Sequence, residues 1–190
     1  MAFINLRWRL KNSQRADYDL ALMPDQISEL FLAASVKRMQ LSEDDINRCL
    51  DKLSDDQMWR RGGDHENSIA NLLLHLEGNL RQWFLHGIDG QPDVRVRDEE
   101  FTLSTSQPCE EVRRCFAATL AECRSVIGSL PPSRLLEVID PQPKGGWEPM
   151  TILEAIYRIV CHLQLHQGQI ILLAKQLTGA DLDLSLPRKR

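Results

Sequence analysis

The chain has 190 residues, a net charge of −4, 43% hydrophobic and 26% charged residues, which is ordinary globular composition with length enough for one domain and a proper core. Wholesale disorder is excluded. The acidic balance (pI near 5.7) and an aromatic share of 6% argue against gripping nucleic acid by its phosphates or stacking on its bases.

Taken in chain order, the first 24 residues read as an arm outside the core. They alternate Arg and Lys with apolar groups and contain no continuous apolar run of the kind a leader peptide needs. From Asp25 to Leu53 the apolar residues Ile27, Leu30, Phe31, Ala34, Met39, Leu41, Ile46, Cys49, Leu50 and Leu53 fall at helical spacing, with Asp25 as the expected N-cap. Ser42-x-x-Asp45 could restart that helix. A second helix is expected from Asn67 or Ser68, after the break at Gly62-Gly63-Asp64, through Leu72, Leu73, Leu76, Leu80, Trp83 and Phe84 to about Gly87.

Gly87 to Gln107 is a long charged connection with RVRDEEF in its middle, a length usually kept for function or for crossing a bundle end. A third helix is expected from about Pro108 through Val112, Phe116, Leu120 and Cys123 to Gly128, stopped by Pro131-Pro132. After the irregular stretch IDPQPKGGWEPM, the last helix runs from Thr151 through Ile152, Ile156, Ile159, Leu163, Ile170 and Leu177 and closes at Gly179. Nothing long alternates with period two, so the fold class is all-α: a four-helix bundle over 25–180 with a long crossover between its second and third helices. Residues 181–190 read as a tail outside the core.

No window approaches the ~20 apolar residues of a membrane span; the richest, Ile69 to Leu76, contains Asn71 and His75. The five cysteines are odd in number and include no CxxC; with no leader pattern they read as reduced thiols in a cytoplasmic protein.

Chemistry is expected at the histidines. His162 and His166 stand four apart in CHLQLH, so on a helix both point from one face, close enough to share a metal. The same spacing also fits two polar residues at a helix boundary. Both flank the apolar stripe of the last helix, and His75 lies among Leu72, Leu73 and Leu76, so three imidazoles from two helices could converge. The alternative for His75 is a hydrogen bond to Asn71 or Asn79, each one turn away. Three neutral nitrogens with open positions suit Zn²⁺, Ni²⁺ or Fe²⁺. HExxH, GxSxG, GxxxxGK[ST], GxGxxG and paired ExxH motifs are absent. Cys161 reads as a packing residue, Trp59, Trp83 and Trp147 as core or bundle-end residues, and His86 as a favourable group at a helix C-terminus.

The runs NSIANLLLHLEGNLRQW and HLQLHQGQI, in this order and separation, resemble the DinB-like superfamily of metalloenzymes, and more narrowly a branch catalogued as a domain of unknown function. The resemblance covers most of 25–180. It implies a four-helix bundle, a homodimer, and one divalent metal, zinc or nickel ahead of iron, held by His75, His162 and His166. Relatives are thiol S-transferases or isomerases, so it also implies a low-molecular-weight thiol as partner; the charge balance and the missing apolar span set the further expectation of no nucleic acid and no membrane. Asn71, Asn79, Arg158 and Gln169 become candidates for supporting the ligands or touching substrate, and RVRDEEF for a lid. Two departures stand out: Cys161 occupies a place where relatives often carry an acid, and Arg158 brings a cation one turn from His162. A non-catalytic dimeric scaffold with a structural metal or histidine cluster is the competing expectation.

Overall fold

The computed structural model describes residues 24–102, 107–142 and 148–184; Trp147 and the arm before Pro24 lie outside them. Four long helices carry the molecule: α1 (Pro24–Leu50), α3 (Ile69–Leu80), α5 (Cys109–Gly128) and α6 (Ile152–Thr178). Short helices α2 (Asp55–Trp59) and α4 (Glu99–Thr102) sit in the connections, and α3 runs on into a π turn at Arg81–His86. After a 3-10 turn at Pro132–Leu136, strands β1 (Val138–Ile139) and β2 (Met150–Thr151) pair antiparallel, Val138 with Thr151.

Each long helix packs on two others, giving the ring α1, α6, α3, α5. Side-chain contacts fix the directions. Glu77 reaches Thr119 and the Cys123 thiol reaches the Leu80 carbonyl, so α3 and α5 advance together and are parallel. Arg124 pairs with Glu43 and Arg113 with Asp51, so α5 opposes α1. The connection from α3 to α5 must therefore return along the bundle's length, and it is the expected crossover.

Helix starts follow local chemistry. Ser54, Ser68 and Thr151 each cap a helix with a reciprocal bond from Gln57, Asn71 and Glu154. Gly179 (φ 64°) ends α6 in the left-handed conformation that glycine adopts without steric cost.

Several expectations need correction. α1 does not restart at Ser42, and Asp25 lies in its first turn rather than capping it. Its buried face is Leu32, Ser35, Met39, Ser42, Ile46 and Cys49, while Ile27, Leu30 and Leu41 are exposed. Two inward positions are serines, so an apolar count slides the stripe sideways; Ser35 is tolerated because its hydroxyl donates back to the Phe31 carbonyl at 2.8 Å. α1 ends at Leu50 and not Leu53, because Ser54 opens α2, a helix too short to show a period. α5 begins at Cys109, with Pro108 as the cap residue outside it. Leu182, in the expected tail, is 2% exposed and joins the core.

Candidate metal centre

His75 enters the bundle because its neighbours on α3, Leu72, Leu73 and Leu76, all face the core. His162 and His166 come from α6 between the buried Ile159, Leu163 and Ile170. The three rings meet edge to edge, with centroids 4.5–5.0 Å apart and interplanar angles of 73–85°. His162 Nε2 lies 3.2 Å from His75 Nε2 and 3.0 Å from His166 Nε2. One nitrogen from each ring lies within 4.8 Å of the other two, and among the described residues this is a group able to hold a metal ion.

Two of the rings have outer partners that decide where their protons sit. His75 Nδ1 is 2.8 Å from Glu100 Oε2. Burial pushes the Glu100 carboxyl up, but hydrogen bonds and charge from Arg95 and His75 hold it below the usual carboxylate range. An ionised carboxylate only accepts, so the 2.8 Å contact places a hydrogen on His75 Nδ1 in preference to the longer 3.3 Å approach of the Arg95 guanidinium, and in the neutral ring Nε2 is then the lone pair. His166 Nδ1 is 2.7 Å from the Gln169 amide oxygen, which assigns its hydrogen in the same way. Two lone pairs thus face His162 Nε2, and one hydrogen there can satisfy only one of them. A divalent cation satisfies all three nitrogens, so the donor set fits a metal.

Protonation agrees. Burial, followed by His166, His75, Arg95 and Arg158, pushes His162 down to about 3. Burial also lowers His166, with His75 adding to it and Gln169 opposing. Both rings are therefore neutral at pH 7, as ligands must be.

Glu100 and Arg95 were not legible as site residues. Arg95 clamps both carboxylate oxygens (2.6 and 2.9 Å) with its side chain 3% exposed, and its remaining arm donates to Gln82 on the π turn at 2.9 Å. Gly78, one turn past His75, makes room: a Cβ there would collide with Glu100 Oε1 and come within 3.2 Å of Arg95 Nε. The signal was the mixed charge of RVRDEEF, but its partner is 25 residues away, beyond any local spacing rule. Arg95 and Glu100 pack that segment, the candidate lid, against α3.

Of the supporting candidates, Gln169 sits on His166. Asn71 acts at one remove, donating to the Glu100 carbonyl at 2.9 Å and accepting from Arg61 at 2.7 Å. The alternative for His75, a bond to Asn71 or Asn79, does not occur among the described residues; Glu100 takes that place because it is ionised and 2.8 Å from Nδ1. Asn79 is 8% exposed and its Oδ1 has no hydrogen-bond partner among the described residues. Arg158 lies over the Trp83 ring, 5.4 Å from its centroid, and burial lowers its pKa. Cys161, expected to pack, is exposed, because it points about 100° away from its neighbour His162. His86 bonds the Gln91 carbonyl at 2.7 Å, a structural role. No described helix is long and apolar enough to cross a membrane.

The bundle has the architecture of DinB-like proteins. It superposes on the crystal structure of a DinB-like protein from Bacillus cereus ATCC 10987 with a TM-score of 0.58 and 14% identity, covering 77% of this chain and 89% of that one. No curated protein matches the sequence. Residues 26–190 match the family described as Protein of unknown function (DUF1572), and the chain belongs to that family. Fold and three-histidine cluster together fit a metal-binding DinB-like protein.

Proposed function

We propose that His75, His162 and His166 hold one divalent cation, zinc or nickel ahead of iron, and that the site activates a low-molecular-weight thiol for transfer to an electrophile. The observation that carries the metal is the inward turn of the Nε2 atoms, with the Nδ1 hydrogens of His75 and His166 tied outward to Glu100 and Gln169. The thiol chemistry rests on the DinB resemblance. A dication held by neutral imidazoles supplies Lewis acidity and makes a coordinated thiol acidic. The protein's own part is to hold His162 and His166 neutral, keep the hydrogens of His75 and His166 on the outer nitrogens and fix the angle at which the rings meet.

The test is elemental analysis of untagged protein beside His75→Ala and His162→Ala. We expect about one zinc or nickel per three-histidine site in the wild type and loss from both variants. A wild type that takes up no metal after back-titration would sink the reading.

The second reading is a non-catalytic homodimer with a structural cation. What favours it is the outer face of α6, where Leu153, Tyr157, Leu165 and Leu172 are 36–66% exposed and no charge occurs between Arg158 and Lys175, a composition typical of covered surface. It predicts a dimer by sedimentation, converted to monomer by Leu165→Glu, and a melting temperature that falls on metal removal while no thiol transfer occurs. Thiol-dependent turnover by the loaded protein would overturn it.

A further inference from the structure

Two of the three rings have an outer partner; His162 does not. Its Nδ1 is buried without a hydrogen-bond partner among the described residues, and the same is true of Asn79 Oδ1. One is a ring nitrogen that must carry a hydrogen whenever Nε2 offers its lone pair. The other can only accept. Orphaned buried groups of this kind are costly, and a donor and an acceptor left over on two packed helices are complementary in chemistry.

The register of the helices brings them to the same level. Trp83 on the π turn after α3 meets Arg158 of α6, and His75 of α3 meets His162, so the two helices run antiparallel. Residues 75, 79 and 83 form one ladder at i, i+4 spacing, and 158, 162 and 166 form the ladder facing it. His75 sits between the rungs of His162 and His166, with ring centroids 5.0 Å from each. By this register Asn79, one turn further on, is at the level between Arg158 and His162.

We propose that Asn79 is the positioning residue for His162: its Oδ1 takes the Nδ1 hydrogen, directly or through one water, and turns the Nε2 lone pair toward the other two rings. Glu100, Gln169 and Asn79 then do the same task for three ligands, through a carboxylate, an exposed amide and a buried amide. This rests on the metal reading for its purpose, but the bond itself is measurable without metal.

The experiment compares wild type, Asn79→Leu and Asn79→Asp, all checked for helical content. Zinc affinity is read by competition with a chromophoric chelator, and the His162 tautomer by long-range ¹H–¹⁵N NMR of the side chain. Asn79→Leu, similar in volume but without an acceptor, should bind zinc about 10–100-fold more weakly at unchanged stoichiometry. Its share of the Nδ1–H tautomer at His162 should fall, with His75 and His166 unaffected. Asn79→Asp, which keeps an acceptor, should restore both. Wild-type affinity in Asn79→Leu, or weaker affinity with the His162 tautomer unchanged, overturns the assignment. Should wild type bind no zinc, the metal reading fails and the metal-free spectra still decide: a smaller Nδ1–H share in Asn79→Leu supports the bond, and equal shares refute it.

Discussion

On α3, His75 is held by a residue 25 positions away, a carboxylate 7% exposed and clamped by an arginine that is 3% exposed. On α6, His166 is held by Gln169, three positions along the same helix and open to solvent. Both partners fix a proton on Nδ1, yet they differ in what else depends on them. The carboxylate is a buried ion pair whose loss strands a charge, whereas the amide is a local surface contact that water can replace. The same orienting chemistry is therefore wired into global stability on one side of the site and nearly free of it on the other.

The strongest way to break this comparison is Glu100→Ala. It leaves Arg95 buried and unpaired beside the histidines, so we expect a loss of about 3–5 kcal/mol of stability along with a roughly 10–100-fold drop in metal affinity. Denaturant unfolding of metal-free protein isolates the first effect. A variant as stable as wild type would show that Arg95 finds another partner and that the α3 side is no more embedded than the α6 side.

Acid titration of the metal-free protein separates the two sides by pH. The folded pKa of His162 is depressed from 6.5 to about 3, so the unfolded chain binds more protons than the folded one between those values. Stability is then full above 6.5 and declines as the pH falls through that window. Glu100 is depressed from an ordinary 4.5, so its contribution is present above 4.5 and is lost only as the pH falls below that. The melting temperature should thus begin to drop near pH 6.5 and steepen below 4.5, and Glu100→Gln should flatten the second limb, to which Asp93, Glu111 and Glu154 also contribute, while leaving the first. A melting temperature that stays flat from pH 7 to 5 would contradict the burial of His162.

The α6 side was legible because its information is local: His162, His166 and Gln169 lie within eight residues of one helix, and helical period alone places them together. The crossover bundle was legible for a similar reason, since Ser68, Thr151 and Gly179 mark helix ends by their own chemistry. His75 could be placed on a core-facing stripe, but its partner could not be named. Glu100 reaches it only because α3 and α5 are parallel, which forces the described residues 87–102 back along the bundle, and because Gly78 has no side chain to keep the carboxylate out. Neither condition is a spacing. In α1 the opposite error arose: inward serines at 35 and 42 are satisfied or tolerated within the fold, and a pattern built on apolar residues cannot see them.

The smallest expected effect is the most informative about the α6 side. Gln169→Ala removes an exposed amide and buries nothing new, so unfolding free energy should change by less than about 0.5 kcal/mol. The His166 Nδ1–H can turn to water, which costs little. Metal affinity should therefore fall by less than the roughly 10-fold lower bound expected for a buried outer partner, and Gln169→Glu, a stronger acceptor, should bind at least as tightly as wild type. Chelator competition across these three proteins reads the result directly. A drop as large as that of Glu100→Ala, with stability unchanged, would mean that ring orientation and not burial sets the strength of the site. The two sides would then be equivalent for the metal and different only for the fold.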